Sequence, residues 1–222
     1  VVCDAGWYSV RLDGRPMRLP GGPELRLRQL ALAVAIAAEW QAAGREFSAE
    51  DVPLTRLAGT AQERIVPDPA PTALALAAYA ESDVLCYRAE RPEALVVQQH
   101  HGWQPWLDWA AAAYGARLVV TRGVMPVRQD AAAVAALRDA MLGLDAFVLA
   151  GLGVLVPAFG SCVLGLAVAA GRLSAAEALR LSMLDELFEE AAWGVDADAA
   201  ARRAAVARDV SEAARFMALA VA

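Results

Sequence analysis

AFVLAGLGVLVPAFGSCVLGLAVAA, residues 146–170, carries no charged side chain, and its reading decides the fold. At 1.5 Å per residue, one continuous helix of that length would cross the roughly 30 Å hydrocarbon layer of a bilayer. The punctuation argues otherwise. Pro157, followed by Phe159, Gly160 and Ser161, reads as a break between two buried helices, about 146–156 and 159–170. Gly151, Gly153 and Gly165 further interrupt the run, which lacks the Trp/Tyr anchors of a spanning segment and a basic flank at one end. The expectation is therefore an internal helical pair without membrane insertion.

On either side of this core the periodicity differs. Residues 6–12 alternate like a strand and lead into Asp13–Gly14, a tight-turn pair, with a returning strand over 15–19. Residues 24–28 alternate again after a Pro/Gly turn, so the chain opens as a small antiparallel meander. Composition then turns helical over 30–43, 57–65 and 72–79, while 84–88 reads as a buried strand and 117–121 as one more. Helices are expected over 93–114, kinked at Pro105, and over 130–142. Ser174 to Glu177 forms a capping box that opens a helix to about Trp193, and a last helix runs over 198–219. The expected class is α+β: a small N-terminal α/β part with antiparallel strands over 1–122, then an all-helical domain over 123–222. The seam is expected near 122–130.

Composition narrows the function. The chain has 222 residues, a net charge of −6 and no lysine among its 20 basic residues. That balance excludes a general nucleic-acid binder, which needs a basic footprint. Cys3, Cys86 and Cys162 are odd in number and far apart, so neither a disulfide framework nor a zinc cluster is expected, and a reducing compartment fits. Residues 1–6 lack the basic and apolar regions of a secretory leader. The only histidines, His100 and His101, are neighbours and point about a hundred degrees apart on a helix, which does not build one site. Phosphate loops, dinucleotide fingerprints and nucleophile elbows are absent from the sequence, so no cofactor is expected.

Two clusters remain. Asp185, Glu186, Glu189 and Glu190 set two like-charge pairs at i, i+4, each costing about 0.2–0.5 kcal/mol when exposed. Leu179, Met183, Leu184, Leu187 and Phe188 form the opposite, apolar face. The acidic face reads in three ways: a solvated face partly neutralised by Arg202, Arg203, Arg208 or Arg215, a partner-binding patch, or a metal-dependent or acid/base enzymatic site. The second cluster is Trp103, Trp106 and Trp109, at i, i+3, i+6 on one approximate helix face, which reads as core or as interface.

Ordered blocks of residues carry a resemblance that bears on these readings. They are 10–16 (VRLDGRP), 35–40 (AIAAEW), 53–61 (PLTRLAGTA), 82–88 (SDVLCYR), 103–106 (WQPW), 160–167, and 181–186 (LSMLDE) through Trp193–Gly194. With these blocks the chain resembles the assembly chaperones of the F-type ATP synthase that protect its α subunit. The resemblance implies an N-terminal α/β part, a helical C-terminal part, no catalysis, and binding of the unassembled α subunit until it pairs with β. It also implies importance for the acidic position at Glu186, beside Asp185. The chain departs from the family pattern at Glu189, usually Gln, and at Gln62–Glu63, usually Ile–Asp. The expected partner-binding set is Asp185, Glu186, Glu189, Trp103, Trp106 and Trp193, on a monomer in a bacterial cytoplasm or, in a eukaryote, the mitochondrial matrix. The alternative is a metal-dependent enzyme using the acidic helix, residues 185–190.

Overall fold

The computed structural model describes residues 1–44, 46–123 and 125–222. The chain opens on two antiparallel hairpins, β1 (Val2–Asp4) with β2 (Trp7–Ser9) and β3 (Arg11–Leu12) with β4 (Arg15–Pro16). Asp13–Gly14 makes the second turn as expected, both residues at positive φ. The first turn is at Ala5–Gly6, and the strand expected over 6–12 is divided at Val10 into β2 and β3. The period-two pattern places Val10, Met17, Leu19, Leu25 and Leu27 inward, all buried.

α1 (Leu30–Ala42) follows, and its Glu39 performs the capping that α2 (Pro53–Thr60) cannot supply from Val52. The Glu39 carboxylate accepts from the Leu54 and Thr55 amides at 2.7 and 3.0 Å and from the Thr55 hydroxyl at 2.7 Å. Trp40 Nε1 donates to that same Thr55 Oγ1 at 2.9 Å. A π-helical turn, Ala61–Ile65, continues α2.

Next come α3 (Ala70–Ala77), β5 (Tyr87–Arg88), α4 (Glu93–Tyr114) and β6 (Thr121–Arg122). β5 and β6 pair in parallel, Tyr87 opposite Thr121. The strand expected over 84–88 is shortened by a 3₁₀ turn at Val84–Cys86. Asp83 causes this: its Oδ1 accepts from the Leu85 amide two residues on, at 3.1 Å, which bends the chain. Its Oδ2 accepts from the Ser161 hydroxyl at 2.9 Å and the Val163 amide at 3.3 Å. Asp83 has no exposed surface, and burial pushes its carboxyl up to about 6 despite these donors.

The helical part comprises α5 (Ala131–Leu142), α6 (Ala146–Phe159), α7 (Cys162–Ala169), α8 (Ala175–Ser182), α9 (Leu184–Trp193) and α10 (Ala197–Ala220). The run at 146–170 is α6 and α7, and Cys162–Ala167 is wholly buried. Among the described residues, no helix is long and apolar enough to cross a membrane. The break falls later than Pro157, which lies inside α6; the reversal is made at Gly160, whose φ of +59° favours glycine. The helix expected from Ser174 to Trp193 is two, parted at Met183. The Leu181 carbonyl, which would continue the helix, accepts instead from Trp103 Nε1 at 2.8 Å.

The antiparallel N-terminal strands and the helices that follow make the α+β class. The compact units are interleaved along the chain, unlike the consecutive division expected at 122/123. One unit is Val1–Ala70 with Leu144–Gly151 and Glu212–Ala222; the other is Pro71–Gly143 with Leu152–Ser211. Helical periodicity cannot tell which core receives the two ends of one helix, and α6 and α10 each contribute to both units. Val124, inside the expected seam, lies outside the described residues.

Candidate partner-binding groove

α9 begins after the kink at Met183, and Gly194, at φ +96°, turns the chain from α9 toward α10. Asp196 then caps α10, accepting from the Ala199 amide at 2.7 Å. That hydrogen bond holds the exposed Asp196 carboxyl below the usual range. The two helices enclose a groove of about 550 Å³ lined by Met183, Glu186, Glu189, Glu190, Trp193 and Arg203, among others. Glu190 and Arg203 form a half-buried ion pair within it. Glu186 and Glu189 are exposed, and Trp193 is 89% exposed. The groove thus presents, beside a large, solvated indole, two carboxylates that make no ion pair among the described residues.

Three of the six expected contact residues therefore meet: Glu186, Glu189 and Trp193. The other three are elsewhere. Trp103, expected at the partner surface, is core instead: it has 0% exposure, its Nε1 donating to the Leu181 carbonyl and its ring fully buried. A side chain without surface cannot contact a partner. Trp106 is half-buried and meets Trp109 edge-on at 6.4 Å, and Trp109 meets Tyr114 at 5.3 Å. Asp185 accepts from Gln99 Nε2 at 2.7 Å, so its carboxylate is engaged with α4.

Gln99 and Arg88 were missed by sequence reasoning. Gln99 is buried, and its Oε1 accepts from the Ala89 amide at 2.8 Å. Arg88 donates to the carbonyls of Leu85 and Gln99 at 2.8 and 2.9 Å, and its guanidinium lies 5.2 Å from the Trp103 ring centre. Its Nη2 is buried without a partner among the described residues. Burial lowers the Arg88 pKa, and the negative charge of Asp185 acts against that. The signal was present: Leu95, Gln99 and Trp103 are spaced i, i+4, i+8, so Gln99 occupies a core position of α4.

His100 and His101 are both exposed, and Cys86 and Cys162 are buried thiols. Among the described residues, no three His, Cys, Asp or Glu side chains converge in a way that could hold a metal.

Residues 2–111 match the family model described as ATP12 chaperone protein. The fold is also similar to solved structures over nearly the whole chain. Atp12 from Paracoccus denitrificans is 43% identical with a TM-score of 0.91, covering 98% of this chain and 93% of that one. An aspartate-to-lysine point mutant of the Paracoccus protein is 42% identical with a TM-score of 0.92, covering 99% and 94%. A chaperone candidate from Agrobacterium tumefaciens is 35% identical with a TM-score of 0.89, covering 97% and 81%. With this identity sustained across both units, the chain belongs to the ATP12 chaperone protein family.

Proposed function

We propose that this chain is an assembly chaperone of the F-type ATP synthase head, binding the unassembled α subunit without nucleotide and holding it from aggregation until it pairs with β. It acts by occluding a surface and not as an enzyme, in the bacterial cytoplasm or an equivalent matrix. The observation that carries this reading is the groove between α9 and α10, where Glu186 and Glu189 flank the solvated Trp193. Exposed indoles ringed by charge are the composition of a protein-contact hot spot. An unassembled subunit of an obligate complex exposes a large apolar interface, which a cognate surface can mask while charge steers encounter. In this reading Glu186 and Glu189 pair with arginine or lysine of the client and Trp193 fills an apolar hollow. Asp185 acts from behind, as an anchor of α9.

The test is co-expression with the α subunit followed by size-exclusion chromatography, for the wild type and for Glu186→Lys with Glu189→Lys. Co-elution that the double variant abolishes supports the reading, provided the variant keeps its thermal midpoint. A double variant that still protects the α subunit would remove the groove from the mechanism.

A further inference from the structure

A second groove lies within the first unit, between the strand-and-turn segment after β3, the end of α1, and α2 with its π turn. Its volume is about 810 Å³. The floor is apolar: Met17, Leu19, Val52, Trp40 and Phe47. Trp40 and Phe47 meet edge-on at 4.7 Å, and Phe47 is left 48% exposed. The rim is cationic, with Arg15, Arg18, Arg56 and Arg64, all exposed. Among the described residues Glu63 is the one carboxylate lining it, and its Oε1 accepts from the Gly21 amide at 2.7 Å. Arg18 donates one hydrogen bond to the Gly22 carbonyl, and among the described residues none of the four arginines is within ion-pair distance of a carboxylate. Four arginines around an aromatic floor run against the net charge of −6 carried by the whole chain.

We propose that this groove binds an extended peptide segment of a partner polypeptide in which a bulky apolar side chain is flanked by carboxylates. The exposed edge of Phe47 and the Trp40 ring receive the apolar anchor, whose burial supplies the affinity. The arginine forks on either side match carboxylates in two-point hydrogen bonds and select against basic segments. This site does not depend on the acidic groove between α9 and α10. The two grooves carry opposite charge, so they take different chemistries, and each can fail without the other.

The probe is a fluorescein-labelled peptide of alternating glutamate and leucine around a central tryptophan, titrated with the full chain by fluorescence anisotropy. Binding is expected, weakening roughly tenfold or more between about 50 and 500 mM salt as screening shortens to a few ångströms. The indole N–H resonance of Trp40, pinned to Thr55 Oγ1, is expected to shift on saturation. Arg15→Glu with Arg64→Glu should weaken binding about tenfold or more, since like charge then faces the peptide. Both arginines are exposed, and an unchanged urea midpoint shows that the variant stays folded. Equal binding of the lysine-for-glutamate peptide, an unmoved Trp40 resonance, or undiminished affinity of the double variant would each overturn the proposal. So would displacement of the peptide by phosphatidylglycerol vesicles, which would assign the rim to lipid headgroups.

Discussion

Gln99 Nε2 donates to Asp185 Oδ1 at 2.7 Å, joining α4 to α9 across 86 positions of sequence. The other end of the same amide accepts from the Ala89 backbone, and the Gln99 carbonyl accepts from Arg88. One buried glutamine therefore partners an amide, one nitrogen of an arginine and a carboxylate at once. The acidic helix is held from behind by this amide, while its neighbour Glu186 stays at the groove.

Replacing Gln99 by leucine keeps the volume and removes both side-chain bonds. The Ala89 amide and the Asp185 carboxylate then lose their protein partner, which costs about 1–3 kcal/mol. Urea unfolding should show the midpoint falling with the slope unchanged. Asp185→Asn retains an acceptor for Gln99 and is expected to lose less.

Asp83 makes stability depend on pH in a defined sense. Its folded carboxyl sits at about 6 against an ordinary 3.8, because burial outweighs the donors around it. Between those values the folded chain keeps a proton that the unfolded chain has released. The favourable contribution is thus complete below about pH 4 and is lost as pH rises through 6, to the extent of roughly 2–3 kcal/mol. Asp83→Asn has no such titration. The stability difference, wild type minus variant, should be greatest at pH 4 and narrow toward pH 7 in a series of urea midpoints; a difference flat across that range would contradict this account.

Two tryptophans should behave oppositely. Trp103→Ala removes a fully buried ring and takes the indole donor from the Leu181 carbonyl, costing about 3–5 kcal/mol. Trp193→Ala removes a ring that is 89% solvated and should change stability by less than about 0.5 kcal/mol. In the proposed role, the second substitution instead weakens α-subunit capture. Thermal melts and the co-elution assay separate the two effects.

Thiol titration with Ellman's reagent reports the packing at 83–86 and 161–163. Cys3 is exposed and should react at once in the folded chain. Burial pushes the Cys86 thiol up to about 12 and the Cys162 thiol well up, with the Asp83 charge adding to both. Those two should react only in denaturant. Rapid reaction of all three in native buffer would show that the core around α7 opens.

Local chemistry made much of this protein legible from its residues. Asp13–Gly14 demands a turn, Asp130 and Ser174 cap the helices they precede, and the uncharged run at 146–170 lies in helices ending at a glycine reversal. Such signals act over a few residues, so they are written into the order of the chain. The clustering of Glu186 and Glu189 follows from a helical repeat in the same way. Which residues are buried against which depends instead on pairings between distant segments. That is why Trp103 looked like a contact residue and is core, why Gln99 escaped notice, and why the single helix expected up to Trp193 is two. The indole of Trp103 can claim the Leu181 carbonyl only after α4 and α8 have met, 78 positions apart in the chain. The order of residues determined the turns, the caps and the family; tertiary packing decided where some elements break and which carboxylates are anchored, because hydrogen-bond partners are chosen in space and not along the sequence.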